Sequence, residues 1–376
     1  MATWQHELIP VKTLPSGAVL NLDRYTFTSP QPGPTVYLQA SVHGAEIQGQ
    51  GVLYYLMQYL LQHEFAGKIT LIAQANPMAV NHKQLTHTCG RYNPLTGQNW
   101  NRSYFDLAQD LKFDFASFAQ KYLKASPAEI AAAFKAAWAQ SLQDFKTALA
   151  YGMSDDRALC LTLQRQACAA DYVIDLHAAI NGTYYLYAAE DDPLAPAWHL
   201  PFIIRIPYIF AGALDEASFM PWHHLKTAFK NLGREITFNF ASYTVELGSE
   251  ECFSAAQSKH DLNYLLSFLQ KVGVLSAKTS WGPGKIYQSK LANFKTYYAP
   301  TSGLVDFLAQ PGTLVKQGTP LAQFLCWPQL TKESSFTQAL PQLVALKDAA
   351  ILNHSNSNLA VQGQELIQVL EEVGEV

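Results

Sequence analysis

The segment "TVYLQASV" (35–42) is apolar at most positions and predicts a strand that is largely buried. The next segment, "GVLYYLMQYLLQHE" (51–64), changes to helical apolar spacing, and Gly67 is expected to stop that helix. "KITLIAQANP" predicts a second strand that ends at Asn76-Pro77, and a polar loop rich in Gly and Pro, "GRYNPLTGQNWNR", follows at 90–102. From about 103 to 168 the pattern is helical. Within it, "SPAEIAAAFKAAWAQSLQDF" opens with Ser126, Pro127 and Glu129, which supply an N-cap, a proline in the first turn and a capping-box partner. Strands are predicted again at 170–179, 183–189, 202–210 and 236–248, with a helix at about 254–271. Strands alternating with helices define an α/β domain with a mixed, largely parallel sheet flanked by helices.

After about residue 280 the texture changes. "SGLVDFLAQPGTLVKQGTPLAQF" (302–324) has short β runs broken by Gly-Thr and Gly-Thr-Pro turns, which suggests a small all-β module. Its spacing resembles the barrel-sandwich pattern of lipoyl-like domains, without an identifiable carrier lysine. The expected organisation is a catalytic α/β domain at 1–280, carrying the helical insertion 103–168, and a β module at 281–376.

Composition narrows the field of functions. The chain of 376 residues is 49% hydrophobic and 15% charged, with a net charge of −4. That is globular and offers no strongly basic face for nucleic acid. No apolar run reaches the roughly 18 residues of a membrane span, and the first residues, "MATWQHELIP", lack the charged and apolar regions of a signal peptide. Cys89, Cys160, Cys168, Cys252 and Cys326 are scattered and form no CxxC, so they read as reduced thiols in a cytoplasmic protein.

In open α/β sheets, ligands bind beyond the carboxyl ends of the strands. There the first strand delivers His43 and Glu46, the second Asn76, "YVIDL" delivers His177, and "ASYTV" delivers Glu246. Two imidazoles and two carboxylates are the inventory for a zinc site with an open position plus a free general base. The spacing of three in "HGAE" puts Glu46 about one helical turn beyond His43, and Gly44 is expected to let the backbone turn sharply. Asp175 shares a strand face with His177, where it would orient a ligand or pair with an arginine.

The order of these motifs resembles the succinylglutamate desuccinylase/aspartoacylase family of the zinc carboxypeptidase-like fold. "HGAE" is similar to the family's HGxE, and "NP", "DLH" and "VELG" follow in the family's order over roughly residues 30 to 280. "RY" followed by "NR" resembles its arginine-bearing substrate loop. The resemblance implies one zinc per chain, held by His43, Glu46 and His177, with Glu246 as general base and acid. It implies that Arg102, assisted by Asn101, grips a substrate carboxylate and that Arg91 stabilises the oxyanion. Asn76 is carried over as a substrate-side residue. Two positions depart from the pattern: Asn99 stands where the family has an aspartate, and "AAING" after His177 replaces a threonine-rich run.

The expected activity is zinc-dependent hydrolysis of a small N-acyl amino acid or related amide. The alternatives are a zinc carboxypeptidase acting on peptides or peptidoglycan fragments and a non-catalytic binding protein with a vestigial metal site. A small-molecule substrate is expected, with no nucleic-acid or membrane partner. The insertion 103–168 is read as a lid or a contact between subunits of a homo-oligomer.

Overall fold

A computed structural model describes residues 2–276, 284–327, 330, 332 and 338–376. The expected domain boundary at 280/281 lies outside the described residues. The chain opens with an antiparallel pair, β1 (Thr3–Thr13) and β2 (Val19–Thr28), which the hydrophobic pattern did not announce. β3 (Thr35–Ala40), α1 (Gln48–Gln62) and β4 (Lys68–Ile72) start the α/β pattern, and β3 and β4 are parallel. α1 ends four residues earlier than Gly67, at His63; Gly67 (φ +83°) turns the connection into β4 instead. Asn76-Pro77 begins a single turn, α2 (Pro77–Val80), followed by a two-residue ribbon of β5 (Lys83–Gln84) and β6 (His87–Thr88).

The insertion holds three helices, α3 (Phe115–Lys121), α4 (Pro127–Ala148) and α5 (Asp155–Ala167), whereas 103–114 is irregular. The capping box of Ser126 and Glu129 is formed at the start of α4. β7 (Tyr172–Ala179), β8 (Tyr184–Ala189), β9 (Phe202–Ile206), α6 (Leu214–Asn231), β10 (Ala241–Ser249) and α7 (Ala255–Lys271) complete the α/β part. Two predicted strands are shorter than expected. β9 stops before Pro207, which cannot donate to a ladder. Residues 235–240 are irregular, and Phe238 packs into a helical core rather than a sheet, so the apolar run 236–240 reflects side-chain burial and not a strand. α6 was not anticipated.

Beyond it lie β11 (Tyr287–Lys290), β12 (Phe294–Tyr298), β13 (Gly303–Phe307), β14 (Leu314–Val315), β15 (Pro320–Leu325), β16 (Gln342–Val344), β17 (Ala349–His354), β18 (Leu359–Ala360), β19 (Glu365–Glu371) and β20 (Gly374–Glu375). The main sheet runs β1-β2-β4-β3-β7-β10-β8-β9-β11-β20. β4, β3, β7 and β10 are mutually parallel, and β8 opposes β10. β12, β19, β17 and β14 form one small sheet and β16, β15, β13 and β18 another, with a shared apolar core that includes Leu321, Phe324, Ile351 and Val369. β17 is tied to the turn after β7: Thr183 N–H donates to Leu352 O (2.9 Å), and His354 N–H donates to Asn181 O (3.0 Å).

α1 and α7 cover one face of the main sheet, and α5 and α6 cover the other. α3 and α4 build a separate aromatic core against α6, around Phe134, Trp138 and Trp222. The chain leaves β3 towards β4 on one side and later returns to β7 on the other. The crevice at this reversal is where open α/β sheets bind ligands. His43 and Glu46 follow β3 there, and His177 lies near the end of β7.

His43 and Glu46 are not on a helix. They flank a tight turn closed by Glu46 N–H to His43 O (3.2 Å) and by the Ser41 hydroxyl to Glu46 O (2.8 Å), and α1 begins only at Gln48. The sharp reversal falls on Ser41, at φ 59°. Gly44 serves a different end: its N–H donates to Gly90 O, and a Cβ there would sit 2.2 Å from Ala79 O. Gly44→Ala is therefore expected to cost about 3 kcal/mol through overpacking, read as a lower urea midpoint. An unchanged midpoint would show that the turn has room to spare.

Candidate active site

β7 is buried along its whole length, "YVIDLHAA", so its two ionisable residues need partners inside the protein. Alternation puts Asp175 and His177 on one face, and Asp175 Oδ2 lies 3.0 Å from His177 Nε2. The other ring nitrogen, Nδ1, faces Glu46 Oε2 at 2.7 Å. His43 repeats this geometry: Nδ1 is 2.8 Å from Glu46 Oε1, and Nε2 is 2.8 Å from Asn99 Oδ1. The Glu46 carboxylate thus stands between two Nδ1 atoms, and it also accepts from Ala178 N–H (3.2 Å) and Arg91 Nη1 (3.1 Å).

The donor atoms of His43, Glu46 and His177 lie within 4.8 Å of one another, and all three residues are buried. This set suits one metal ion. Both imidazoles turn the same nitrogen towards the carboxylate, and each outer nitrogen faces an oxygen that would hold the tautomer a ligand needs. Electrostatics follow from the same contacts. Burial opposes the charge on Glu46, but the two imidazoles outweigh it and hold its pKa well below the carboxylate range. Burial also opposes a charge on His177, yet Asp175 and Glu46 raise its pKa well above the usual value. Burial prevails at His43, whose pKa is lowered.

Glu246 sits at the carboxyl end of β10, in register with His177. Its Oε2 is buried and has no hydrogen-bond partner among the described residues. Burial, reinforced by the Glu46 charge, raises its pKa to about 7. Arg91 is half-buried beside Glu46. Burial disfavours its charge, but Glu46, Glu246 and Glu250 more than compensate.

A cavity of about 760 Å³ opens over this cluster. His43, Glu46, Arg91, Asn99, Asn101, Arg102, His177 and Glu246 line it. Arg102 is exposed; its Nη1 donates to Asn101 O (2.6 Å), and it makes no ion pair with a described carboxylate. Asn101 Nδ2 lies 3.4 Å from His177 Nε2. Asn76 does not line the cavity. It is fully buried, its amide donates to Val42 O and its oxygen caps α2 at Ala79 N, so both ends are used to brace the turn. The insertion 103–168 contributes no lining residue, and neither do His82, His87, His223 and His224.

Several lining residues escaped the sequence reading. Tyr185 and Tyr187 of β8, Asp215 of α6, and Asn353 and Gln368 of the β module face the cavity. Asn353 Nδ2 donates to Gln368 Oε1 at 2.7 Å. The tyrosines lay in a recognised strand, but nothing local marked which face would meet the site. The module residues carried no signal at all, since their placement depends on docking against residues 181–183.

A largely parallel sheet with a buried His-Glu-His cluster at its carboxyl ends is the build of the zinc carboxypeptidase-like fold. The chain belongs to the succinylglutamate desuccinylase/aspartoacylase family: residues 32–272 match the family model of the succinylglutamate desuccinylase/aspartoacylase catalytic domain. Among solved structures, a family protein from Shewanella amazonensis SB2B is 32% identical, with a TM-score of 0.93 over 99% of this chain and 100% of that one. Another, from Shewanella frigidimarina NCIMB 400, is 31% identical, with a TM-score of 0.93 over 100% of this chain and 99% of that one. The ectoine utilization protein EutE (DoeB) from Ruegeria pomeroyi shares the fold at 15% identity, with a TM-score of 0.65 over 98% of this chain and 95% of that one. Comparison with curated proteins gives no match. The family is one of deacylase-type hydrolases, as the resemblance of the motifs implied.

Proposed function

We propose that this protein is a zinc-dependent amidohydrolase that removes the acyl group from a small N-acyl amino acid or related amide in the cytoplasm. The observation that carries this reading is the buried cluster of His43, Glu46 and His177 next to Glu246, a carboxylate with an unpartnered oxygen. One zinc per chain is assigned to the three ligands, because a His2Glu set suits that ion. Bound there, zinc would supply Lewis acidity towards a carbonyl oxygen and a water.

The chain's own groups do the rest. Glu246 takes a proton from the attacking water and later delivers it to the departing nitrogen, and a carboxyl group with a pKa near neutrality suits both transfers. Arg91 is at hand to stabilise the oxyanion. Arg102, which makes no ion pair with a described carboxylate, offers a planar fork to a substrate carboxylate, and Asn101 steadies it through its carbonyl oxygen. Asp175 and Asn99 orient the two imidazoles. Residues of the β module wall the cavity, which favours a small substrate over a threading peptide.

Metal analysis of chelator-free protein is expected to find close to one zinc per chain, lost in His43→Ala and in His177→Ala. Metal at background level in the parent would return the protein to the class of binding proteins. Glu246→Gln should keep the zinc and lose about a hundredfold or more in kcat; full activity would remove Glu246 from the chemistry. Because the ionised carboxylate is the base, kcat/KM should fall with decreasing pH, with its acid limb at or below pH about 7, since a bound cation favours the charged form. Against a panel of N-acyl amino acids, Arg102→Ala should raise KM about tenfold with a smaller change in kcat. Cleavage of tetrapeptides in preference to that panel would favour the carboxypeptidase reading.

A further inference from the structure

The substrate loop has bonds of its own, such as Asn93 N–H to Gln98 O (2.8 Å) and Asn101 N–H to Asn99 Oδ1 (2.8 Å), but it is also held from outside. Between Asn93 and Phe105 it carries Asn99, Asn101 and Arg102, and it runs against one face of α5. Three buried residues of that helix, Asp156, Cys160 and Gln164, are spaced four apart and so form a single stripe. Each bonds to the loop. Asp156 Oδ1 accepts from Asn93 Nδ2 (2.9 Å) and Thr96 Oγ1 (3.3 Å), and Asp156 Oδ2 accepts from Ser103 Oγ (2.9 Å). Cys160 Sγ donates to Trp100 O (3.2 Å). Gln164 takes both backbone groups of Phe105, accepting from its N–H (3.0 Å) and donating to its carbonyl (2.8 Å).

These contacts bracket the three site residues from both sides. The middle of the bracket reaches the cluster: Asn99 Oδ1 is bonded to His43 Nε2 and to Asn101 N–H. The helix itself stays away from the cavity. We infer that the Asp156–Cys160–Gln164 stripe of α5 is a positioning device, through which the insertion sets the pose of the substrate loop and, by way of Asn99, the orientation of His43 and the retention of the metal. Asp156 is its principal member, because it alone joins the two ends of the loop. The inference rests on the metal-site reading above.

The test uses the full chain and zinc alone. Hydrogen exchange of residues 93–105 and the rate of zinc loss to a chelator are measured for the parent, Asp156→Ala, Asp156→Asn and Asp155→Asn. Asp155 is the control, since its carboxylate pairs with Lys12 outside the loop. Asp156→Ala is expected to speed exchange across the loop about tenfold, with α4 and the β module unchanged. It should also speed zinc loss about tenfold, and Asp156→Asn, which keeps one acceptor, should fall between it and the parent. In an Asn99→Ala background Asp156→Ala should add little to zinc loss, because the path it acts through is already cut. Unchanged exchange, or zinc loss that multiplies independently in the double variant, would overturn the inference. Should Asp156→Ala not fold, Asp156→Asn carries the same comparison. A parent that binds no zinc would refute the metal reading first, and the exchange pattern would still report on the clamp separately.

Discussion

A carboxylate with 2% of its surface exposed organises the centre of this protein. Burying a charge costs several kcal/mol unless opposite charge and hydrogen bonds surround it. Glu46 has both, and its partners come from separate stretches of chain: His43 across its own turn, Arg91 from the loop after β6, and His177 with the Ala178 amide from β7. Each partner must be held at hydrogen-bond distance, so the turn after β3, the loop and the neighbouring parallel strand have to be fixed relative to one another. The close backbone packing of Gly44 and Gly90 on Ala79 serves that requirement, as does Asn76, which bonds both the β3 turn and α2.

The same demand extends outward. Each imidazole presents Nδ1 to Glu46, which leaves Nε2 to be satisfied elsewhere. Asn99 bonds that of His43 from a loop nearly sixty residues beyond it, and at His177 the Asp175 carboxylate of the same strand lies 3.0 Å away as an ion-pair partner. A neutral amide therefore stands beside one imidazole and a carboxylate beside the other. This asymmetry agrees with the opposite directions in which the two histidines are shifted. The β module adds a third tier. Its backbone bonds to residues 181 and 183 bring Asn353 and Gln368 to the cavity wall, so the cavity is completed by residues distant in sequence from the His-Glu-His cluster.

The α/β pattern, the helices α1, α4 and α7 and the short-stranded texture of the C-terminal part were legible because each rests on local periodicity, whereas α6 was missed. Ser126 acts as the expected N-cap, with its capping box complete, because a cap needs only a few residues of context. Failures arose where burial and backbone pairing part company. The run 236–240 is apolar because Phe238 fills a core made by the insertion and α6, and among the described residues it pairs with no strand. β1 and β2 were missed for the converse reason: β1 is a mostly exposed edge strand held by its ladder to β2, with only Ile9 and Val11 packed against the core.

At the site, residue type and position at or near strand ends pointed to His43, Glu46, His177 and Glu246 as one group, and the structure brings all four to one cavity. Residue type and strand-end position are both properties of short sequence. The tertiary structure alone decided which nitrogen of each histidine turns inward, that Asn76 braces and does not reach the cavity, and that Gly44 is needed for space and not for its φ. It also decided that α5 of the insertion bonds to the loop at 93–105 and that the insertion lines none of the cavity. The physical reason is common to all four: each depends on distances between segments far apart in the chain, and such distances are set only when the sheet, the helices and the loop pack together.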